Sequence, residues 1–71
     1  MNVHEVRELN DAELRKELAD QQKALMNLRF RKETMQLTDT NELRNTRKTI
    51  ARLNTVIRER ALAAKLAAQG E

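Results

Sequence analysis

Cations spaced along helical segments are the main chemical groups that this sequence offers. The segment NLRFRKE places Phe30, the chain's one aromatic residue, between Arg29 and Arg31, with Lys32 next. Guanidinium and ammonium groups hold phosphates, and a large apolar side chain often anchors an interface. We therefore predict that this segment binds a polyanion, with Met26 and Phe30 as an interface anchor.

The charge of the chain is distributed unevenly along its length. Residues 1–22 carry three basic and six acidic side chains, whereas residues 23–60 carry ten basic and four acidic ones. The net charge of +3 therefore conceals a strongly basic second part. Basic charge concentrated in this way is typical of surfaces that bind polyanions.

The residue inventory argues against catalysis. The chain has no Ser, Cys, Trp or Tyr, and His4 is its one histidine. Without a recognisable nucleophile and base, a glycine-rich loop or a ligand cluster, we expect no enzymatic activity, no cofactor, no metal site and no small-molecule substrate. No apolar run approaches the roughly 20 residues of a membrane span, and no signal peptide is recognisable. We therefore expect a cytoplasmic protein without a membrane partner.

The predicted fold is all-α, an antiparallel two-helix hairpin with a short N-terminal helical turn. A chain with no proline and one glycine favours long helices. Asn10 followed by Glu13 is a capping-box pattern, which predicts a helix over about residues 10–35. Before it, NVHEVREL is expected to form the short helical turn. The apolar side chains of this turn share one side of it: Val3, Val6 and Leu9.

A second helix is predicted after the polar cluster TDTN. Asp39 with Glu42 repeats the capping pattern, and the helix is expected to run over about residues 40–61. Residues 1–61 are therefore assigned to one helical hairpin domain. The alanine-rich tail at residues 62–71 is compatible with an extension of the helix or with a frayed end.

Apolar positions spaced three and four residues apart predict how the two helices pack. In the first helix, one stripe comprises Leu14, Leu18, Gln21, Leu25, Leu28, Lys32 and Met35. In the second helix, the stripe comprises Leu43, Thr46, Ile50, Leu53 and Ile57. Two such stripes joined by a short turn predict an antiparallel hairpin with a thin core between the helices.

A row of cations is predicted on the outer side of the second helix. At 100° per residue, Arg47, Lys48 and Arg58 lie within about 60° of Arg44, whereas the apolar stripe is centred about 140° away. The row therefore faces away from the first helix, where a polyanion could reach it.

Further residues bear on the role of this basic row. Ala51 and Thr55 lie on the same row, and their small side chains would let the helix backbone approach a surface, while Arg52 lies at its edge. The plainer alternative is a solvated charged face. Against it, Glu59 is the one acidic residue between positions 48 and 60, whereas soluble helices usually intersperse charges of both signs.

The position of Phe30 leaves two interpretations open. Phe30 is expected about 160° from the seam of the first helix, beside Met26. It is covered either by the N-terminal turn, through Val3, Val6 or Leu9, or by an external partner. Heptad-like spacing adds an alternative function, a homodimeric helical-bundle interaction or regulatory protein.

Two stretches of the chain resemble a known family. NLRFRKETMQL and RNTRKTIARLNTVIRER are similar to the bacterial large-subunit ribosomal protein number twenty-nine, the universal uL-twenty-nine family, over about residues 5–60. The resemblance implies a two-helix hairpin on large-subunit ribosomal RNA near the polypeptide exit, beside ribosomal protein number twenty-three, without cofactor or catalytic activity. It also implies that Phe30 belongs to a packed motif. It marks four arginines as RNA contacts: Arg29, Arg47, Arg52 and Arg58.

Two positions depart from the pattern of this family. Arg31 stands where members usually have glutamine and adds a phosphate contact, and Met35 stands where they commonly have glycine. Because glycine ends a helix in the left-handed conformation more readily than methionine does, we expect the turn to close differently, with Met35 capping the seam. The complete set of predicted RNA contacts is Arg29, Arg31, Lys32, Arg44, Arg47, Lys48, Arg52, Thr55 and Arg58.

Overall fold

The described part of the chain forms three helices. A computed structural model describes residues 1–36 and 40–69, with helices α1 (Val3–Arg7), α2 (Asp11–Glu33) and α3 (Asn41–Gln69). No strand occurs in the described ranges. The predicted all-α class is therefore confirmed.

The two long helices pack against each other in antiparallel directions. Asp11, the first residue of α2, bonds to Arg60 late in α3. At the opposite end, Lys32 near the end of α2 lies beside Leu43 in the first turn of α3. This pairing is the predicted hairpin, and it brings the C-terminal turns of α2 next to the N-terminal turns of α3.

The first helix of the hairpin begins with the capping box expected from the sequence. Asn10 Oδ1 accepts a hydrogen bond from the Glu13 amide at 2.8 Å, and the Asn10 amide donates to Glu13 Oε1 at 3.1 Å. Each side chain satisfies an amide that has no partner within the helix. The similar pattern predicted from Asp39 and Glu42 involves Asp39, which lies outside the described residues.

At the C-terminus of α2, the Met35 side chain does not lie where the sequence predicts. The Met35 amide donates to the Lys32 carbonyl at 3.1 Å, and the Gln36 amide donates to the Arg31 carbonyl at 2.8 Å. These two bonds form a Schellman motif, with Met35 in the left-handed conformation at φ 60° where glycine is usual. The Met35 side chain is 89% exposed, so the prediction that it caps the seam is wrong. The carbonyls at the helix end find partners in this conformation, which offsets the strain of a non-glycine residue.

The core lies towards the end of the hairpin at which α1 packs. Its fully buried side chains are Val6, Leu14, Leu53 and Val56, with Val3, Leu9, Leu18 and Ile57 packed around them. Leu28 and Leu43 are buried nearer the turn between the long helices. Helix α1 thus contributes Val6 to the same core that joins α2 and α3.

The buried face of α3 is broader than the predicted stripe. Val56 and Thr49, which were not assigned to the stripe, are buried, whereas Ile50 and Ile57 are only partly buried. The reason is that α1 packs on α3 beside α2, and its Val6 joins Val56 in the core. On α2, Lys32 was also assigned to the stripe but is exposed.

The interpretation in which the N-terminal turn covers Phe30 is wrong. Helix α1 packs on α3 and supplies Val6 to the core near the start of α2. Phe30 lies about 29 Å beyond Asp11 along the axis of α2, at 1.5 Å per residue. The side chains of Met26 and Phe30 are accordingly 73% and 61% exposed.

Helix α3 continues through most of the alanine-rich tail. It extends to Gln69, and both Leu62 and Leu66 are exposed on this segment. Gly70 and Glu71 lie outside the described residues. No helix in the described part of the chain is both long and apolar enough to span a membrane.

Candidate nucleic-acid interface

Three adjoining surface grooves lie where the last turns of α2 meet the first turns of α3. The groove on the α3 side is lined by Lys32, Thr40, Leu43, Arg44, Arg47, Lys48 and Ala51. The middle groove is lined by Arg29, Lys32, Glu33, Leu43 and Arg47. The groove on the α2 side is lined by Gln22, Leu25, Met26, Arg29, Phe30 and Glu33. Because neighbouring grooves share residues, they form one continuous surface, which we call the turn-end band.

Cations dominate the polar lining of the turn-end band. Its basic side chains are Arg29, Lys32, Arg44, Arg47 and Lys48, and all of them are exposed. Among the described residues, Glu33 is the one acidic residue that lines the three grooves. No ion pair joins any of these five cations to an acid within the described residues. The band is therefore a concentrated positive surface whose cations form no ion pair with the described parts of the hairpin.

At the opposite end of the hairpin, cations are paired with acidic side chains. Arg7 Nη2 lies 3.4 Å from Glu59 Oε1, and Arg60 Nη1 lies 3.0 Å from Asp11 Oδ1. Arg60 Nη2 also donates to the carbonyl of Arg7 at 3.0 Å. The cations at this end thus hold α1, α2 and α3 together. Glu59 is the single acidic residue in the C-terminal part of the basic row, and it forms its ion pair with Arg7.

The structure brings together five of the nine predicted RNA contacts. Arg29, Lys32, Arg44, Arg47 and Lys48 line the turn-end band, and the predicted anchor residues Met26 and Phe30 line its α2 end. The cations come from two helices, because the antiparallel packing places the end of α2 beside the beginning of α3. The other four predicted contacts lie outside the band.

Those four residues have different surroundings. Arg58 is exposed further along α3, and Thr55 Oγ1 donates to the Ala51 carbonyl at 2.8 Å. Arg52 is partly buried, and its Nη1 donates to the carbonyl of Met1 at 3.1 Å. Arg31 is exposed but lines none of the three grooves, because two residues along a helix turn it about 200° away from Arg29.

Arg60 has a structural role that the sequence did not predict. It belongs to the basic segment of residues 23–60, and its guanidinium bridges Asp11 and the carbonyl of Arg7. The predicted antiparallel hairpin did indicate such a contact, because antiparallel packing places the start of α2 opposite the late turns of α3. An acid at the start of α2 is then a natural partner for a late cation of α3.

The described residues contain no group of three or more acidic or histidine side chains placed to hold a metal ion. The chemistry of the turn-end band is that of cations beside exposed apolar side chains. Such a surface has the groups needed to bind phosphates through charge and hydrogen bonds, and its α2 end offers apolar area to a flat or apolar group.

Comparisons with known proteins identify the family of this chain. The family model described as "Ribosomal L29 protein" matches residues 4–60. The large ribosomal subunit protein uL29 of Desulforudis audaxviator is 48% identical over 65 residues, which cover 92% of this chain and 97% of the relative. That of Chloroflexus aurantiacus is 49% identical over 63 residues, covering 89% and 93%.

A third relative extends the similarity into the C-terminal tail. The large ribosomal subunit protein uL29 of Corynebacterium aurimucosum is 46% identical over 69 residues, which cover 97% of this chain and 91% of the relative. The family model and these relatives each span most of the chain, so the resemblance seen in the sequence is confirmed. The chain belongs to the ribosomal L29 protein family.

Proposed function

We propose that this protein is a structural constituent of the large ribosomal subunit. Its relatives carry the name of a large-subunit protein. In this proposal the protein works in the cytoplasm as part of the ribosome, near the polypeptide exit site and beside ribosomal protein number twenty-three. It binds ribosomal RNA through the turn-end band and the outer row of α3, and it carries out no chemical reaction.

The observation that carries the RNA-binding part is the contrast between the two ends of the hairpin. At the α1 end, Arg7 and Arg60 are paired with acids. At the turn end, the five cations of the band have no ion pair within the described residues. Folding alone does not account for a cluster of like charges at one place, because such charges repel each other. A polyanion bound along the band would remove that repulsion.

The shape of α3 suits contact with an RNA backbone. Between the cations of the first turns and Arg58, the outer side of α3 carries Ala51 and Thr55, both exposed. The Thr55 hydroxyl is turned back onto the Ala51 carbonyl, so it does not stand out from the helix. Small side chains at these positions allow phosphates to approach the helix closely, while the flanking cations bind them.

Binding would also stabilise the hairpin. Only a few side chains are fully buried, and the core lies towards the α1 end. A ligand that binds the folded form and not the unfolded chain raises the free energy of unfolding. RNA held across α2 and α3 at the turn end would therefore stabilise the end of the hairpin that has the smaller core. In return, the rigid hairpin would fix the bound RNA segments relative to one another.

The proposal is tested by sedimentation of the tagged protein from a cell lysate through a sucrose gradient. We expect the wild-type protein to migrate with the large subunit. The double variant Arg47→Glu with Arg58→Glu should show roughly tenfold less protein in that peak at moderate salt, because two phosphate contacts become repulsive. A protein that stays at the top of the gradient as a dimer would instead support the homodimeric helical bundle.

A matched control separates site effects from net charge. Lys16 and Lys23 are exposed on α2 and line none of the three grooves. Replacing both by glutamate changes the net charge from +3 by −4 to −1, as the test variant does. We expect this control to migrate with the large subunit like the wild type. Equal incorporation of the test variant and the control would refute binding through the outer side of α3.

A further inference from the structure

The one aromatic side chain of the protein is exposed at the α2 end of the turn-end band. Phe30 is 61% exposed, and its neighbour Met26 is 73% exposed. Neither belongs to the core, and α1 packs elsewhere. Exposed apolar residues scattered singly are common, but an adjoining pair beside a charged groove indicates a contact surface.

The surroundings of Phe30 combine an apolar surface with positive charge. The groove on the α2 side has a volume of about 410 Å³, and its apolar lining comes from Leu25, Met26 and Phe30. Arg29 and Glu33 line both this groove and the middle groove, and the middle groove adds the cations Lys32 and Arg47. A ligand that contacts the Phe30 ring is thus next to a continuous path of cations.

We propose that this end of the band binds an unpaired RNA nucleotide, with its base stacked on the Phe30 ring and its phosphate held by Arg29. The inference rests on the proposed function and specifies the form of RNA that the site takes. Bases that are not in a duplex stack on aromatic side chains, and basic grooves track the backbone that leads to them. Lys32 and Arg47 then bind the neighbouring phosphates in the middle groove.

The charge and size of the surface favour RNA over a protein partner. Of the described residues, five cations and one acid line the band, so a ligand complementary to this part of the surface has to be strongly negative. The exposed apolar part consists mainly of two side chains, and a buried aromatic side chain covers roughly 150–250 Å². That area is well below the roughly 800 Å² per partner of a standard protein interface. It is suited to a single base.

The experiment uses substitutions at Phe30 in the full chain and purified large-subunit ribosomal RNA. Phe30→Ala should lower the affinity for the RNA about 5- to 150-fold, which is the range for losing one stacked base. The slope of log affinity against log salt should stay unchanged, because the ring releases no counterions. Phe30→Leu keeps apolar bulk without an aromatic face and should lose affinity in the same way.

A tryptophan at this position reports stacking directly. The chain has no Trp or Tyr, so Phe30→Trp introduces a single fluorophore. We expect this variant to bind the RNA about as tightly as the wild type, and its fluorescence to be quenched to saturation as a base stacks on the indole. Leu66→Ala is the matched control, since Leu66 is 62% exposed and lines none of the three grooves. Its affinity should equal that of the wild type.

The outcomes distinguish this inference from the proposed function. Wild-type affinity of Phe30→Ala or Phe30→Leu, or unchanged tryptophan fluorescence at saturating RNA, would overturn base stacking while leaving phosphate binding intact. If Phe30→Ala kept its RNA affinity but failed to enter the large subunit, the surface would bind a protein instead. If the wild-type chain failed to bind the RNA at every salt concentration tested, the proposed RNA binding itself would be overturned. Equal far-ultraviolet circular dichroism of all variants confirms that each is folded.

Discussion

Arg52 Nη1 donates a hydrogen bond to the carbonyl oxygen of Met1 at 3.1 Å and so joins the N-terminus of the chain to the middle of α3. This bond acts with the burial of Val6 and the ion pair between Arg7 and Glu59 to hold α1 against α3. A residue that the sequence suggested as an RNA contact therefore has a partner within the protein. Its substitution should affect the fold as well as any bound ligand.

We expect Arg52→Ala to lower the free energy of unfolding by about 1 kcal/mol, through loss of a hydrogen bond from a charged donor. Hydrogen exchange of the α1 amides should become faster, since α1 opens more often when its N-terminal tie is lost. Arg58→Ala is the control, because the Arg58 side chain is exposed and forms no hydrogen bond within the described ranges. Unchanged exchange in Arg52→Ala would show that the bond to Met1 does not hold α1.

Val6 anchors α1 in the core of the hairpin. Its side chain is fully buried, together with Leu14 and Val56. We expect Val6→Ala to lower the free energy of unfolding by about 1–3 kcal/mol, because it removes buried methyl groups and leaves a cavity. Urea unfolding followed by circular dichroism measures the change. Leu62→Ala, at an exposed position, should stay within about 0.5 kcal/mol of the wild type, and an equal loss in both variants would contradict the role of Val6.

The left-handed conformation of Met35 predicts that a substitution there raises the free energy of unfolding. We expect Met35→Gly to raise the free energy of unfolding by about 0.5–1 kcal/mol, because glycine adopts φ 60° without the steric cost of a Cβ atom. The 89% exposed side chain contributes little packing that could be lost. The same urea experiment measures this gain.

A neighbouring position provides the control for Met35. Thr34 has φ −88°, and its hydroxyl donates to the carbonyls of Phe30 and Arg31. Thr34→Gly should therefore bring no gain, since its backbone is unstrained and the hydrogen bond that its single hydroxyl proton shares between these two carbonyls is lost. If Met35→Gly were no more stable than Thr34→Gly, the strain at Met35 would be negligible.

Local features of the fold could be predicted from the sequence because neighbouring residues determine them. The capping box of Asn10 and Glu13 depends on a spacing of three residues, and the outward direction of Phe30 depends on helical periodicity alone. The same periodicity placed Arg44, Arg47 and Lys48 on one side of α3, where the structure shows them around a single groove.

Features that depend on distant residues could not be predicted in this way. The burial of Val56 results from α1 packing on α3, and a stripe counted within one helix contains no information about a third element. The antiparallel hairpin indicates that a late cation of α3 lies opposite Asp11, but which cation pairs with it, Arg60, depends on the register of the hairpin. The conformation of Met35 is stabilised by backbone hydrogen bonds at the helix end, which outweigh the intrinsic preference of its side chain.

The binding of ribosomal RNA should depend strongly on salt. With about five or six phosphate contacts, from the cations of the turn-end band and Arg58, the plot of log affinity against log salt should have a slope of about −4 to −5. Filter binding of the full chain to large-subunit ribosomal RNA at several salt concentrations measures this slope. A slope near zero would show that phosphates contribute little to the affinity.

Neutral substitutions then assign the slope to particular residues. Arg47→Ala with Arg58→Ala should make the slope less steep by about 2, because each lost phosphate contact removes close to one released counterion. Lys16→Ala with Lys23→Ala removes the same charge from exposed positions on α2 that lie outside the band, and should leave the slope unchanged. If both double variants changed the slope equally, the RNA would respond to the overall charge of the protein. A change confined to the first variant would mean that phosphates are bound at specific positions on the outer side of α3.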